Sequence, residues 1–382
     1  MAWDPAGPHA PIRRGLIVLV ALATFAAAVI GVVIGHWAWG GSSSPAARST
    51  TATSVARTSP PTAPSSPASG APSNAAAIAA GVDPALVDIN TIDTYQAAEG
   101  AGTGMVLNSR GEVLTNNHVI EGATSISVTD VGNGKTYNAT VVGYDWIRDV
   151  AVLQLTGASG LKAVKLANSS AVRVGDGVVA IGNAGGTGGT PSYASGQVTA
   201  LNQSITAEDE LSHTAETLTG LIETNVNIVA GDSGGPLVNT SGQVIGMNTA
   251  TSEGFQFQGT SQAYAIPINQ ARTIAGQIEG AEASSTVHIG PTAFLGVGLQ
   301  SPLSDAAGAE ILSVIPGQPA ALAGLVPGDT IIAFAGQPVA SPGALTDLLL
   351  AQTPGASVQV QYLDPSGVQR SVTVQLVSGP PQ

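Results

Sequence analysis

The chain has no cysteine among its 382 residues. That absence excludes disulfide scaffolding, thiol catalysis and thiolate-bound metal in one step. Cationic residues are scarce too, with 12 Lys plus Arg against 25 Asp plus Glu and a formal net charge of -13. A phosphate backbone needs a basic surface, so nucleic acid is a poor fit as a partner. Aromatic residues make up 4% of the chain, and its five histidines are scattered. They give no metal-ligand spacing, and neither a metal nor a cofactor is expected. Glycine is plentiful instead, with 48 Gly and 24 Pro. Short runs of Val, Ile and Thr between such residues favour strands joined by turns over long helices.

The length is too great for one average domain and sufficient for two sizeable cores. Residues 15–35, GLIVLVALATFAAAVIGVVIG, carry no charge and match the roughly 20 residues that a helix needs to cross hydrocarbon. Arg13 and Arg14 precede them. The positive-inside rule then keeps residues 1–14 cytoplasmic and puts everything after the span outside. The apolar run is longer than a signal-peptide core and has no good cleavage site after it, which favours an uncleaved anchor. Residues 36–82 are rich in Ser, Thr, Pro and Ala and are expected to be a disordered tether. From residue 83 the text changes to short apolar runs such as GMVLN, SISVT, VAVLQL and GVVAIG, which read as the strands of a barrel or sandwich up to about residue 280. A further shift at 281–292 marks a second linker. Residues 293–378 then mix short strands with two helices, near 318–323 and 342–351.

The chemistry centres on NIVAGDSGGPLVN, residues 227–239, where Ser233 is flanked by Gly231, Asp232, Gly234, Gly235 and Pro236. Glycines there allow a sharp turn that presents a hydroxyl beside bare amide groups, although such text alone also describes an ordinary turn. A serine nucleophile needs a base and a group to orient that base. His118 in LTNNHVI stands where a strand gives way to a loop. His9, His36, His213 and His288 fall in the tail, the anchor, a polar loop and a linker, and read as incidental. Asp149 in YDWIRDVAVLQL directly precedes an apolar strand, and Asp145 is a weaker contender. The order His, Asp, Ser is one of the known orders of this catalytic geometry.

TNNHVI, RDVAVLQL and GDSGGPLVN resemble the trypsin-like serine proteases. GTGMVLNSRGEVLTNNHVI, RVGDGVVAIGN, SGQVTAL and GQVIGMNTA further resemble their bacterial HtrA branch. The resemblance implies a mainly β fold with a double β-barrel protease domain over residues 83–280. It assigns His118 as general base, Asp149 as orienting acid and Ser233 as nucleophile, with the backbone N–H groups of Gly231 and Ser233 as oxyanion hole. Asn227 stands where trypsin has an acidic pocket residue, so a demand for Lys or Arg is not implied. Ile228 matches an apolar pocket residue of the branch and implies a small or aliphatic side chain before the cut bond. Tyr264 in AYAIP belongs to the facing wall. Asn225, Asn227 and Tyr264 depart from the usual DAAINPGNSGG and GFAIP text, as does Asp232, which stands where that text has Asn. Loops near 203–220 and 251–262 correspond to segments that switch the site in the family.

AFLGVGLQ and ALAGLVPGDTIIAFAGQPVAS, within 293–378, resemble a PDZ domain, a small α+β module. Such modules add a peptide as an extra strand and hold its terminal carboxylate with backbone amides. The resemblance makes Phe294, Leu295, Gly296 and Val297 the carboxylate loop, with Ala344, Leu345 and Leu348 along the groove. Together these features imply a single-pass anchored, extracytoplasmic serine endopeptidase of a bacterial cell membrane, acting in quality control or regulated proteolysis. Its expected partners are polypeptides with unfolded or exposed tails, and family members commonly form trimers. The alternative is a catalytically silent adaptor or chaperone whose PDZ module binds tails.

Overall fold

A computed structural model of the chain describes residues 70–208, 215–249, 262–302 and 307–382. All of them lie in one compact unit spanning 65–382. The anchor expected at 15–35, His9, His36 and His213 lie outside the described residues, as do residues 251–261 of the second loop expected to switch the site. Among the described residues no helix is long and apolar enough to cross a membrane.

Six antiparallel strands close the first barrel: β1 (Leu86–Asp93), β2 (Ala98–Val106), β3 (Glu112–Thr115), β4 (Ser125–Asp130), β5 (Thr136–Asp145) and β6 (Val150–Leu155). Their order is β5-β4-β1-β2-β3-β6, with β6 returning to β5. A second closed barrel contains β7 (Gly177–Gly182), β8 (Ser192–Glu208), β9 (Ala215–Thr224), β10 (Pro236–Asn239), β11 (Val244–Asn248) and β12 (Ala263–Pro267). Strand β8 pairs with β9 to its last residue, Glu208 opposite Ala215, so positions 203–208 and 215–220 are strand where a loop is expected from sequence.

Alternation along the strands decides where the cores form, because successive side chains point to opposite faces. In VAVLQL, Ala151, Leu153 and Leu155 join a cluster with Val87, Ile89 and Val113 of the first barrel. The intervening Val150 and Val152 join a different cluster, with Val179, Ile181, Val238 and Met247 of the second barrel. Both faces of β6 are therefore apolar, and one of them seals the two barrels together. A separate cluster of Val178, Ala180, Val198, Ile222 and Leu237 fills the second barrel. Fully burying an Ile or Leu side chain stabilises by about 1.5–3 kcal/mol, so this inter-barrel layer is the main force fixing one barrel against the other.

Helix α1 (Ala75–Val82) corrects the expected tether, which runs to residue 82 in the sequence reading. Ala75, Ile78, Ala79 and Val82 fall at i, i+3, i+4 and i+7, and this stripe is buried in the inter-barrel cluster. Helix α2 (Ile268–Glu279) packs Ile268, Ala271, Ile274, Ala275 and Ile278 into the same cluster. The 281–292 linker is not a plain connection either. Its strand β13 (Val287–Ile289) extends the first sheet beside β5, and His288 is buried there with its ring 5.2 Å from that of Tyr144.

The C-terminal module pairs β14 (Thr292–Phe294) with β21 (Val377–Gly379). Its main sheet orders β15 (Val297–Gln300), β16 (Ala309–Val314), β17 (Thr330–Phe334), β19 (Ser357–Leu363) and β20 (Gln369–Gln375), with β18 (Gln337–Pro338) beside β17. Helices α3 (Pro319–Leu322) and α4 (Pro342–Leu350) accompany it. Ser341 caps α4 by accepting the Ala344 N–H at 3.2 Å, and Pro342 fits the first turn, where no donor is needed. Ile311, Ile331, Phe334, Leu345 and Val360 form the module's own core. Leu350, at the end of α4, belongs instead to the cluster of the first barrel.

Candidate active site

Strand β3 ends at Thr115, and the loop after it carries His118. On the neighbouring connection, Asp145 accepts the N–H groups of Ile147 at 3.1 Å and Arg148 at 2.9 Å, closing the turn that leads to Asp149. Asp145 is fully buried and also receives Arg148 Nη1 at 2.7 Å and the Thr286 hydroxyl at 3.1 Å. These partners make it a turn anchor and leave Asp149 as the carboxylate facing His118. Asp149 has φ 55°, a left-handed conformation that aspartate tolerates better than most residues.

Asp149 is 3% exposed and is held by several donors. His118 Nδ1 lies 2.9 Å from Oδ2, and the His118 backbone N–H donates to Oδ1 at 3.0 Å. The Thr249 hydroxyl donates to Oδ2 at 3.0 Å, and Asn116 Nδ2 donates to the Asp149 carbonyl at 2.9 Å. An ionised carboxylate only accepts, so Nδ1 carries the proton of a neutral His118 and Nε2 is left as its basic nitrogen. The His118 side chain is 38% exposed.

Ser233 comes from the second barrel, in the turn before β10, and is 5% exposed. Gly231 (φ +94°) and Gly234 (φ +81°) both sit in the left-handed region. A Cβ at Gly231 would lie 2.1 Å from the Asn183 carbonyl oxygen, and one at Gly234 would lie 2.1 Å from that of Thr103. Hence both positions require glycine for backbone angle and for space. Thr103 stitches the turn to the first barrel: its N–H donates to the Ser233 carbonyl at 2.8 Å and its hydroxyl to the Gly231 carbonyl at 2.8 Å. The Thr103 hydroxyl accepts the Asn183 N–H at 2.8 Å, while Thr115 donates to the Thr103 carbonyl at 2.8 Å.

Asp232 is buried inside this turn. Its Oδ2 accepts the Val229 N–H at 3.0 Å, while Oδ1 is buried with no hydrogen-bond partner. Burial pushes its pKa up to about 6, with the Val229 N–H acting in the opposite direction.

His118, Gly231 and Ser233 line one cleft of about 290 Å³, together with Asp93, Gln96 and Glu99 from the β1–β2 hairpin. None of the three residues expected to form the specificity pocket lines this cleft. Asn227 is exposed, Ile228 packs on the second-barrel cluster, and Tyr264 packs on the inter-barrel cluster. The structure therefore gathers the expected nucleophile, base and acid around the cleft but does not bring the three pocket candidates together there. Among the described residues no group of three His, Cys, Asp or Glu side chains could hold a metal.

In the C-terminal module, the Leu295 side chain and Leu345 are core residues, Val297 and Leu348 are half-buried against that core, and Gly296 has φ +80°. The Phe294 ring stacks on Tyr95 of the β1–β2 hairpin, with centroids 5.3 Å apart and planes 18° apart. Thr103, Asn116 and Thr249 were not expected from sequence. Single polar residues within or just past strands carry no local signal of partners up to 128 positions away.

Two family models match the chain: a trypsin-like peptidase domain over residues 102–247 and a PDZ domain over residues 310–363. Serine protease PepD of Mycobacterium tuberculosis is 34% identical over 333 residues, which are 82% of this chain and 68% of PepD. The periplasmic pH-dependent serine endoprotease DegQ of Escherichia coli is 36% identical over 276 residues, covering 70% of this chain and 57% of DegQ. The chain thus spans little more than half of the DegQ length. A solved structure of the HtrA-type protease AlgW with tripeptide is 29% identical, covers 80% of this chain and 98% of its own, and has a TM-score of 0.45.

Proposed function

Because the chain belongs to the trypsin-like serine proteases of the HtrA type that carry a PDZ domain, we propose that it is a serine endopeptidase working through His118, Asp149 and Ser233. The observation that carries this reading is the buried Asp149 carboxylate bonded to His118 Nδ1 at 2.9 Å, with His118 and Ser233 lining one cleft. Ser233 Oγ attacks the scissile carbonyl while His118 Nε2 takes its proton, then returns it to the leaving amine. Asp149 holds the imidazole in the required tautomer and stabilises the imidazolium that forms. The backbone N–H groups of Gly231 and Ser233 donate to the developing oxyanion.

The substrates in this reading are polypeptides with unfolded or exposed tails, with a small or aliphatic residue before the cut bond. The PDZ module binds peptide C-termini through the backbone at Phe294–Val297. Residues 15–35 anchor the chain in the bacterial cell membrane with both folded domains outside, in support of quality control or regulated proteolysis. The uncharged run behind Arg13 and Arg14 supports the anchor, and the periplasmic assignment carried in the name of DegQ fits that side of the membrane.

A fluorophosphonate probe tests the central claim. Labelling of the wild-type chain that vanishes in Ser233→Ala is expected. Absent labelling under conditions that cleave no unfolded protein, or equal labelling of both chains, would instead favour a silent PDZ adaptor.

A further inference from the structure

Beyond the last strand of the PDZ module, residues 380–382 turn back onto the first barrel and dock beside His118. Pro380 and Pro381 are buried. The Pro381 carbonyl accepts the Gly122 N–H at 2.9 Å, and the Gln382 backbone oxygen accepts Asn117 Nδ2 at 3.1 Å across 265 positions. The Gln382 N–H donates to the Tyr144 hydroxyl at 3.2 Å, and that hydroxyl also bonds Thr292 Oγ1 at 2.9 Å. Two of these contacts fall on the loop 116–122, one at Asn117 immediately before His118 and one at its far end. The opposite side of the same loop is fixed by Asn116 and His118 on Asp149.

We propose that residues 380–382 are a positioning strap for the general base, so that the segment following the PDZ module completes the catalytic centre. The strap is suited to burial. Two consecutive prolines have no N–H to satisfy and lose little conformational freedom on ordering. All three of its bonds to the barrel use its backbone, so the strap reads the His118 loop by shape and hydrogen bonding. Displacement of a reacting group by about 1 Å can cost on the order of 100-fold in rate. A loop clamped on one side alone allows His118 that freedom. Because the strap follows β21, which pairs with β14, the general base is seated correctly only while the PDZ module is docked.

This inference rests on the peptidase reading, and the experiment separates the two. In the full chain, removal of residues 380–382 and the isosteric Asn117→Leu are compared with wild type. Two measurements are made: hydrogen exchange of the segment 116–123, and kcat and KM on an unfolded protein substrate. Removal is expected to speed exchange at 116–123 and lower kcat by roughly 10- to 100-fold with KM within about twofold, as expected for misplaced machinery. Asn117→Leu shifts both in the same direction by less. Unchanged exchange in the truncated chain overturns the strap, as does faster exchange with kcat unchanged. A wild-type chain that neither labels with fluorophosphonate nor cleaves substrate overturns the peptidase reading and removes the role of His118 with it, whatever the exchange shows.

Discussion

Asp149 receives His118 twice, through the ring Nδ1 at 2.9 Å and through the backbone N–H at 3.0 Å. One carboxylate thus fixes both the ring orientation and the start of the loop that bears it. Asp149→Asn keeps the shape but offers an amide donor towards Nδ1, which favours the wrong tautomer. Turnover is expected to fall about ten-thousandfold with thermal stability nearly unchanged. Thr249→Val removes a single neutral donor from the same carboxylate, and steady-state kinetics are expected to show a loss of about tenfold. Comparable losses in the two variants would contradict the ranking.

The glycines around Ser233 have separable costs. Gly234→Ala places a methyl 2.1 Å from a backbone oxygen at φ +81°, so the turn must move. A loss of roughly 3 kcal/mol or more, together with activity, is expected from strain and overpacking. Gly189 has a similar φ of +92° but open space around it. Gly189→Ala therefore costs about 1 kcal/mol of backbone strain alone. Denaturant unfolding of both variants measures the difference, and equal midpoints would remove the steric argument.

Asp232 makes stability depend on pH in a definite direction. Its folded pKa is pushed up to about 6 from an ordinary value near 3.8, so the native chain holds the proton more tightly than the unfolded chain. The resulting stabilisation is present below about pH 4 and is lost as pH rises through 6, on the order of 2–3 kcal/mol. Asp232→Asn keeps an acceptor for Val229 and carries no charge. Its melting temperature is expected to exceed wild type by several degrees at pH 8 and to match it near pH 4. A gain of equal size at both values would show that ionisation is not the cause.

Legibility in the sequence followed locality. Ser233 announces itself because its glycines and Asp232 are neighbours in the chain, and β6 because VAVLQL is apolar on both faces. Helix α1 was hidden by its alanines: AAAIAAGV looks like low-complexity tether until a partner surface for Ile78 and Val82 is known. The grip of Thr103 and Thr249 on the site joins segments 100 or more positions apart, and a lone threonine does not reveal where its hydroxyl points. The strap is less visible still, since its contacts to the barrel are made by backbone atoms that every sequence shares.

The stacked pair Tyr95 and Phe294 links the hairpin of the candidate cleft to the start of the PDZ module. Tyr95 lies between Asp93 and Gln96, which line the cleft, while Phe294 begins the segment proposed to hold a peptide carboxylate. Gln318 adds a weak bond to the Tyr95 hydroxyl at 3.4 Å. An offset aromatic pair contributes about 0.5–1.5 kcal/mol beyond the area it buries. A double-mutant cycle of Tyr95→Ala and Phe294→Ala, read by urea unfolding, is therefore expected to return a coupling energy in that range. Tyr95→Phe keeps the stack and loses only the long bond to Gln318, so its unfolding midpoint stays close to wild type. Additive losses from the two alanine variants would show that the rings touch without holding the hairpin. The PDZ module would then be held on the barrel by other contacts, such as Leu350 in the first-barrel cluster.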